Sequence, residues 1–203
     1  MARKRRKRYH PPGTQPGTLA AHAEAGDAPV RITSFRYEAN KCEERTVAPS
    51  EIPSLSPPEG GVLWLDVSGL SDPSVVRAIG ERFGFHTLAL EDVLNVPQRP
   101  KVEWYENHLL VVLREIRHPQ PGEQVSFFLG DRVVVSFQER PGDGFDPVRE
   151  RLRQGKGRIR SEGADFLLYA LCDSVLDSFF PTLEKLGDEV EEMEERVLVS
   201  PVP

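Results

Sequence analysis

Glu91 and Asp92 stand side by side in a short apolar run, Leu88 to Leu94, and Asp173 and Asp177 lie one helical turn apart in a second. Carboxylates set in apolar helical stretches have two ordinary uses. They form the wetted edge of an amphipathic helix, or they offer hard oxygen donors to a cation such as Mg2+, which keeps most of its waters and takes only one or two protein carboxylates. Residue type alone leaves both open. Other chemistries have no foothold. Neither GxxxxGK[ST] nor GxGxxG occurs to cradle a phosphate, and no GxSxG elbow presents a serine. His10, His22, His86, His108 and His118 are scattered, without the i, i+4 spacing of a zinc helix. Cys42 and Cys172 form no CxxC pair and fit free thiols in a reducing cytosol. The chain reads as a binding or regulatory protein, not an enzyme.

The elements that must position these acids follow from periodicity and turn chemistry. Val30–Tyr37 and Lys41–Val47 alternate as two strands joined near Ala39-Asn40, and Pro49–Gly60 reads as a proline-rich loop. Gly61–Val67 is a strand of the fully buried type. Asp72-Pro73 starts a helix that Gly84 ends, and a second short helix carries Leu88–Leu94 with Glu91 and Asp92. Three strands are expected next, His108–Arg117, Gln124–Leu129 and Arg132–Gln138, with a tight turn at Gly130-Asp131. Asp146-Pro147 opens a short helix ending near Gly155. From Ala164 to about Leu198 the pattern is one long helix. Leu176, Leu183, Val190 and Val197 recur every seven residues, with Phe179, Leu186 and Met193 on the second seam position. Pro181 predicts a kink in it, and Gly187 weakens it. Such a stripe needs a helical partner. Adjacent antiparallel strands mixed with helices predict an α/β fold with a mixed sheet.

The 203 residues divide into a tail over 1–28, expected to be disordered, an α/β domain over 29–160, and the long helix over 161–203. The formal charge is −6, but Arg3 to Arg8 form one basic block, so the remaining 20 basic residues face 32 acidic ones. An acidic body suits cation binding or solubility. No apolar h-region follows the basic block, so it is not a secretory signal. No run approaches the roughly 20 apolar residues of a membrane span, so this stretch is expected to be soluble.

Three segments carry a family resemblance: FGFHTLALEDVLNVPQRPKVEWYENHLLVVL from Phe83, EQVSFFLGDRVVVSFQE from Glu123, and FDPVRERLRQGKGRIRSEGADFLLYAL from Phe145. In this order they resemble the cytoplasmic N-terminal domain of CorA-type magnesium and cobalt channels, over roughly residues 61–197. The resemblance implies an α/β/α sandwich followed by long helices. It implies a homopentamer in the cell inner membrane, with this domain on the cytoplasmic side. The stalk helix, two membrane helices and Gly-Met-Asn pore loop of that family would lie beyond residue 203. It also implies regulatory Mg2+, or Co2+, at interfaces between neighbouring subunits. Asp92 would be the main domain-side ligand, Glu91 and Asp173 would belong to an adjacent site, and Asp177 is a further candidate. Bound ions would hold a closed ring, and their loss would let facing carboxylates repel and the pore open. Arg99, Lys101, Arg149, Arg151 and Arg153 match the family pattern and read as structural ion-pair partners, and Trp64 and Trp104 as core or interface aromatics. A zinc-transporting relative shares this architecture, although the lack of Cys and His ligands favours magnesium. A soluble module that dimerises through the heptad helix and binds nucleic acid through the basic tail is the reading of a different class. No nucleic acid is expected under the first two.

Overall fold

The computed structural model describes residues 13, 15–20, 29–116 and 122–199. Seven strands form one mixed sheet: β1 (Arg31–Glu38), β2 (Lys41–Val47), β3 (Val62–Ser68), β4 (Lys101–Trp104), β5 (Leu109–Glu115), β6 (Glu123–Gly130) and β7 (Val133–Gln138). Their order across the sheet is β2-β1-β3-β7-β6-β5-β4. Every neighbouring pair is antiparallel except β3 and β7 at the centre. A parallel pair needs a long crossover, and the chain from 69 to 132 supplies it, laying down α1 (Pro73–Phe83), α2 (Thr87–Leu94) and strands β4 to β6 on the way.

Helices cover both faces, so β3 is buried along almost its whole length and reads as a continuous apolar run. Leu63, Leu65 and Val67 face α1 and α2, while Val62 and Trp64 face the opposite layer. That opposite layer is α3 (Asp146–Gln154) and α4 (Ala164–Asp177), which contributes Leu167, Leu171 and Val175 to the second core. The expected α/β/α sandwich with a mixed sheet is therefore the observed fold. Core packing continues through Val175, so α4 is a layer of the sandwich rather than part of a free helix.

Local chemistry sets several boundaries as expected. Asp72 Oδ1 accepts a hydrogen bond from Ser74 N–H at 2.9 Å, Pro73 occupies the first turn of α1, and Gly84 ends the helix in the left-handed region at φ 71°. Other expectations shift. Within the presumed loop, Pro49–Ser54 wind into a 3-10 helix that buries Ile52, with Glu51 accepting from Ala48 N–H at 2.8 Å. The β6–β7 turn is Asp131-Arg132 rather than Gly130-Asp131, because Gly130 still pairs with Val133 in the ladder. Four strands, not three, separate α2 from α3. The additional one, β4, escaped the sequence pattern because its alternation is inverted: Lys101 and Glu103 are half-buried while Val102 and Trp104 are exposed. Trp104 is 80% exposed and is not a core aromatic; Trp64 is.

The long C-terminal helix is two helices. α4 ends at Asp177, and α5 runs over Phe179–Val199. Pro181 has no N–H to give the Asp177 carbonyl and its ring crowds that carbonyl, so the break falls one turn before the proline. The heptad residues Leu176, Leu183, Leu186, Val190, Met193 and Val197 are all exposed, as a stripe awaiting a partner would be. Residues 164–197 together are long enough, and over one window apolar enough, to cross a membrane by length and composition alone. That departs from the reading of the sequence, but the buried residues of α4 already lie against the sheet.

The basic block at residues 3–8 lies outside the described residues. Residues 15–20 do not follow the expectation of an unpacked tail. Thr18 N–H and its hydroxyl both return to the Gln15 carbonyl, at 3.2 and 2.6 Å, and Leu19 packs against the core beneath α1 and α2.

Candidate divalent cation site

α2 is eight residues long and amphipathic in a simple way. Ala89, Leu90, Val93 and Leu94 are buried, which turns Glu91 and Asp92 to the half-buried outer edge. His86 opens the helix by accepting from Leu88 N–H through Nδ1 at 3.3 Å. The height of α2 above the sheet depends on Gly80 of α1. A Cβ there would lie 2.1 Å from Leu90 Cδ1, and Leu90 is only 2% exposed, so it has little room to move. We expect Gly80→Ala to destabilise the fold by about 1–2 kcal/mol in urea titration, overpacking outweighing the roughly 1 kcal/mol that alanine gains over glycine in a helix. A stabilised variant would show that the two helices do not touch this closely.

Each carboxylate of the pair has a partner from elsewhere in the chain. Lys101 Nζ donates to Asp92 Oδ2 at 2.6 Å and to Glu103 Oε1 at 2.8 Å. Gln98 Nε2 donates to Asp92 Oδ1 at 3.0 Å, and Tyr105 hydroxyl to Glu103 Oε2 at 3.0 Å. Partial burial works against the Lys101 charge, yet Asp92 and Glu103 outweigh it and hold the ammonium above the ordinary lysine range. The Lys101 hydrogen bond in turn holds the Glu103 carboxyl below its usual range. Gln124 ties this corner to the sheet: its Nε2 donates to the Asp92 carbonyl at 3.0 Å, and its Oε1 accepts from Gln98 N–H at 2.6 Å. Glu91 Oε2 accepts from Gly17 N–H at 2.7 Å, a contact between residues 74 positions apart.

Asp173 and Asp177 are exposed on α4. α2 belongs to the core on one face of the sheet and α4 to the core on the other, so the sheet separates the two pairs of acids. Among the described residues no group of three or more His, Cys, Asp or Glu side chains is placed to hold a metal ion. The residue types nevertheless suit a hard cation. Glu91 and Asp92 give two adjacent carboxylates at a half-buried surface, an incomplete ligand set of the kind Mg2+ accepts while retaining water.

Three of the five basic residues, Lys101, Arg149 and Arg153, are ion-pair partners as the sequence suggested. Besides Lys101 on Asp92, Arg153 pairs bidentately with Glu44 through bonds of 2.7 and 2.9 Å. Arg149 is the anchor of a buried network. Its guanidinium donates to Asp66 and Asp143, and to exposed Asp146 at 2.9 Å. Asp66 also accepts from the Ser136 hydroxyl and Gln138 Nε2, each at 2.8 Å. These residues floor a polar cleft of about 550 Å3 where β1, β2 and β3 run past α3. Arg99 and Arg151 make no ion pair among the described residues. Gln124 and Gly17 had no signal in the sequence, and Gln98 only as a member of the Gln98-Arg99-Pro100-Lys101 motif; a lone amide or a backbone N–H acquires a role only through its neighbours.

Comparison with known proteins sets the fold in its family. The family model for the CorA-like Mg2+ transporter protein matches residues 59–202. The cobalt/magnesium transport protein CorA of Thermotoga maritima is 40% identical over 197 residues, covering 93% of this chain and 55% of that protein. The chain thus spans about half the length of this relative. Among solved structures, full-length CmaX aligns with a TM-score of 0.67 at 23% identity, covering 89% of this chain and 55% of the other. The soluble domain of CorA from Methanocaldococcus jannaschii aligns with a TM-score of 0.63 at 16% identity, covering 83% and 65%. Those two likenesses speak for the fold; the family match and the identity to the Thermotoga protein go further. With more than half of its length matched to that family model, this chain belongs to the CorA-like Mg2+ transporter family.

Proposed function

We propose that this chain is the cytosolic sensing and gating domain of a CorA-type Mg2+/Co2+ channel, and that it assembles as a homopentamer beneath the membrane. Asp92 and Glu91 of one subunit face acids of a neighbour across an interface, with Asp173 and Asp177 as the α4 contribution. The observation that carries this reading is the placement of the acids on opposite faces of the sheet. One chain cannot close a site from α2 and α4, whereas two neighbouring chains can. The exposed stripe on α5 supports the same reading, because it demands a helix from outside the described residues.

Bound Mg2+ supplies positive charge between facing carboxylates. Asp92 and Glu91 accept that charge and draw the subunits together; without it they repel their counterparts and loosen the ring. The ion favours one conformational state and shifts the population toward it, so transport is restrained when cytosolic ion is plentiful. Oxygen donors without Cys or His at the pair favour magnesium over zinc as the regulator.

The test is thermal unfolding and oligomer mass of the full-length transporter with MgCl2 from zero to tens of millimolar. At about 100 times Kd, ligand linkage is worth roughly 2.7 kcal/mol, or about 5–10 °C in Tm for a domain of this size. Asp92→Ala is expected to remove most of that shift. An equal response in Asp92→Ala and wild type would reduce Asp92 to an ordinary surface acid.

A further inference from the structure

Residues 15–20 lie on the outer surface of α2, against the acid proposed to help hold the ion. We infer that this segment is a built-in competitor: docked, it occupies Glu91 and excludes a divalent cation from it. The inference rests on the reading of Glu91 as part of the ion site.

Three independent features fix the docking. Gly17 N–H donates to Glu91 Oε2 at 2.7 Å, a charge-assisted bond to the oxygen an ion would take. Gly17 sits in the left-handed region at φ 81°, and a Cβ there would lie 3.0 Å from Thr87 Oγ1, so only glycine brings the backbone this near to α2. Two positions on, Leu19 packs against the core beneath α1 and α2 and anchors the turn. A Mg2+ ion needs octahedral ligands at about 2.1 Å and brings its own waters, so it requires the space that Gly17 fills. Docked segment and bound ion therefore compete for Glu91 Oε2 and the space beside it. The segment also covers the outer edge of α2, where a neighbouring subunit would have to approach. Asp92 is restrained in parallel by Lys101, a tethered cation on the same helix edge. Together these donors keep the acids satisfied at low ion concentration and raise the concentration at which the site fills.

The experiment uses the full-length transporter with MgCl2 as the probe, at constant ionic strength. Amide exchange at Gly17 reads the docking, and calorimetry reads Mg2+ affinity, in wild type, Gly17→Ala, Leu19→Asp and Glu91→Gln. The two strap variants alter no residue of α2 and add nothing to the sheet, and a melting curve of each verifies the fold. We expect the Gly17 amide to be protected without Mg2+, to lose part of that protection in Glu91→Gln, whose amide oxygen accepts a weaker, uncharged bond, and to exchange faster as Mg2+ is added. Gly17→Ala and Leu19→Asp should bind Mg2+ roughly five- to tenfold more tightly, as when a competent state populated about 10–20% of the time becomes fully populated. A Gly17 amide that exchanges freely in wild type, or is indifferent to Glu91→Gln, overturns the inference and leaves the Asp92 reading intact. So does equal Mg2+ affinity in all strap variants with Gly17 still protected when the ion is bound. Failure of every variant to bind Mg2+ overturns the ion-site reading itself, and the competition with it.

Discussion

Arg149→Ala is expected to cost about 3–5 kcal/mol of folding stability, the range for removing one partner of a buried ion pair. The Arg149 side chain is 14% exposed, and its two main acceptors, Asp66 and Asp143, are 8% and 6% exposed at their side chains. Burial already pushes the Asp66 carboxyl above its ordinary value, against the pull of Arg149 and with Asp143 adding to the push. Without Arg149 two largely buried carboxylates would face each other at the floor of the cleft, with only Ser136 and Gln138 donating to Asp66. Arg149 also lies over the Trp64 and Phe145 rings, 5.6 and 5.9 Å from their centroids, so alanine would remove packing as well as charge. The double variant Arg149→Met with Asp66→Asn should recover part of the loss, because it removes one of the two buried carboxylates that Arg149 neutralises and leaves only Asp143 without its guanidinium. Urea unfolding of the single and double variants measures the coupling. A single-variant cost below about 1 kcal/mol would make the network no stronger than a surface salt bridge.

The second large effect is a pH dependence centred on Glu123. Burial pushes its carboxyl up to about 7; Arg140 opposes the shift, while Glu115 and Glu139 add to it. The folded state therefore holds this proton at pH values where the unfolded chain has released it. The group's contribution is fully present below about pH 4.5 and is lost as the pH rises through about 7. Glu123→Gln cannot titrate, so its stability advantage over wild type should grow across that window by up to about 3 kcal/mol. His108 acts in the other direction. Burial, with help from His86, holds its imidazole below the ordinary value, so its contribution is lost as the pH falls below about 6.5. The two trends partly cancel in wild type. The difference between wild type and Glu123→Gln, measured by urea unfolding from pH 4.5 to 8, isolates the carboxyl. A flat difference would mean that Glu123 is ionised throughout, with Arg140 winning over burial.

The continuous apolar run of β3 declared a strand covered on both faces. Asp72-Pro73 and Gly84 bracketed α1 through capping chemistry that acts over three or four residues. The heptad stripe announced a helix in need of a partner, and Pro181 announced the interruption, which is confined to Ser178 and leaves that residue in the right-handed helical region. Lys101 and Arg153 were correctly read as ion-pair partners from their basic motifs. Strand β4 was not read, because its charged residues face inward toward α2 and its apolar ones outward, the reverse of the pattern that identifies a half-buried strand.

Element types, most of their ends, and the family motifs around Glu91 and Asp92 are written in short stretches of residues. Those depend on backbone sterics, capping and periodicity, which act within a few residues. The state of the acids depends instead on long-range packing. Glu91 meets Gly17 from 74 positions away, Asp66 meets Arg149 from 83, and α2 and α4 end on opposite faces of one sheet. Such contacts follow from strand order and from a crossover of some sixty residues between β3 and β7, and no short-range rule encodes which backbone amide will reach which carboxylate.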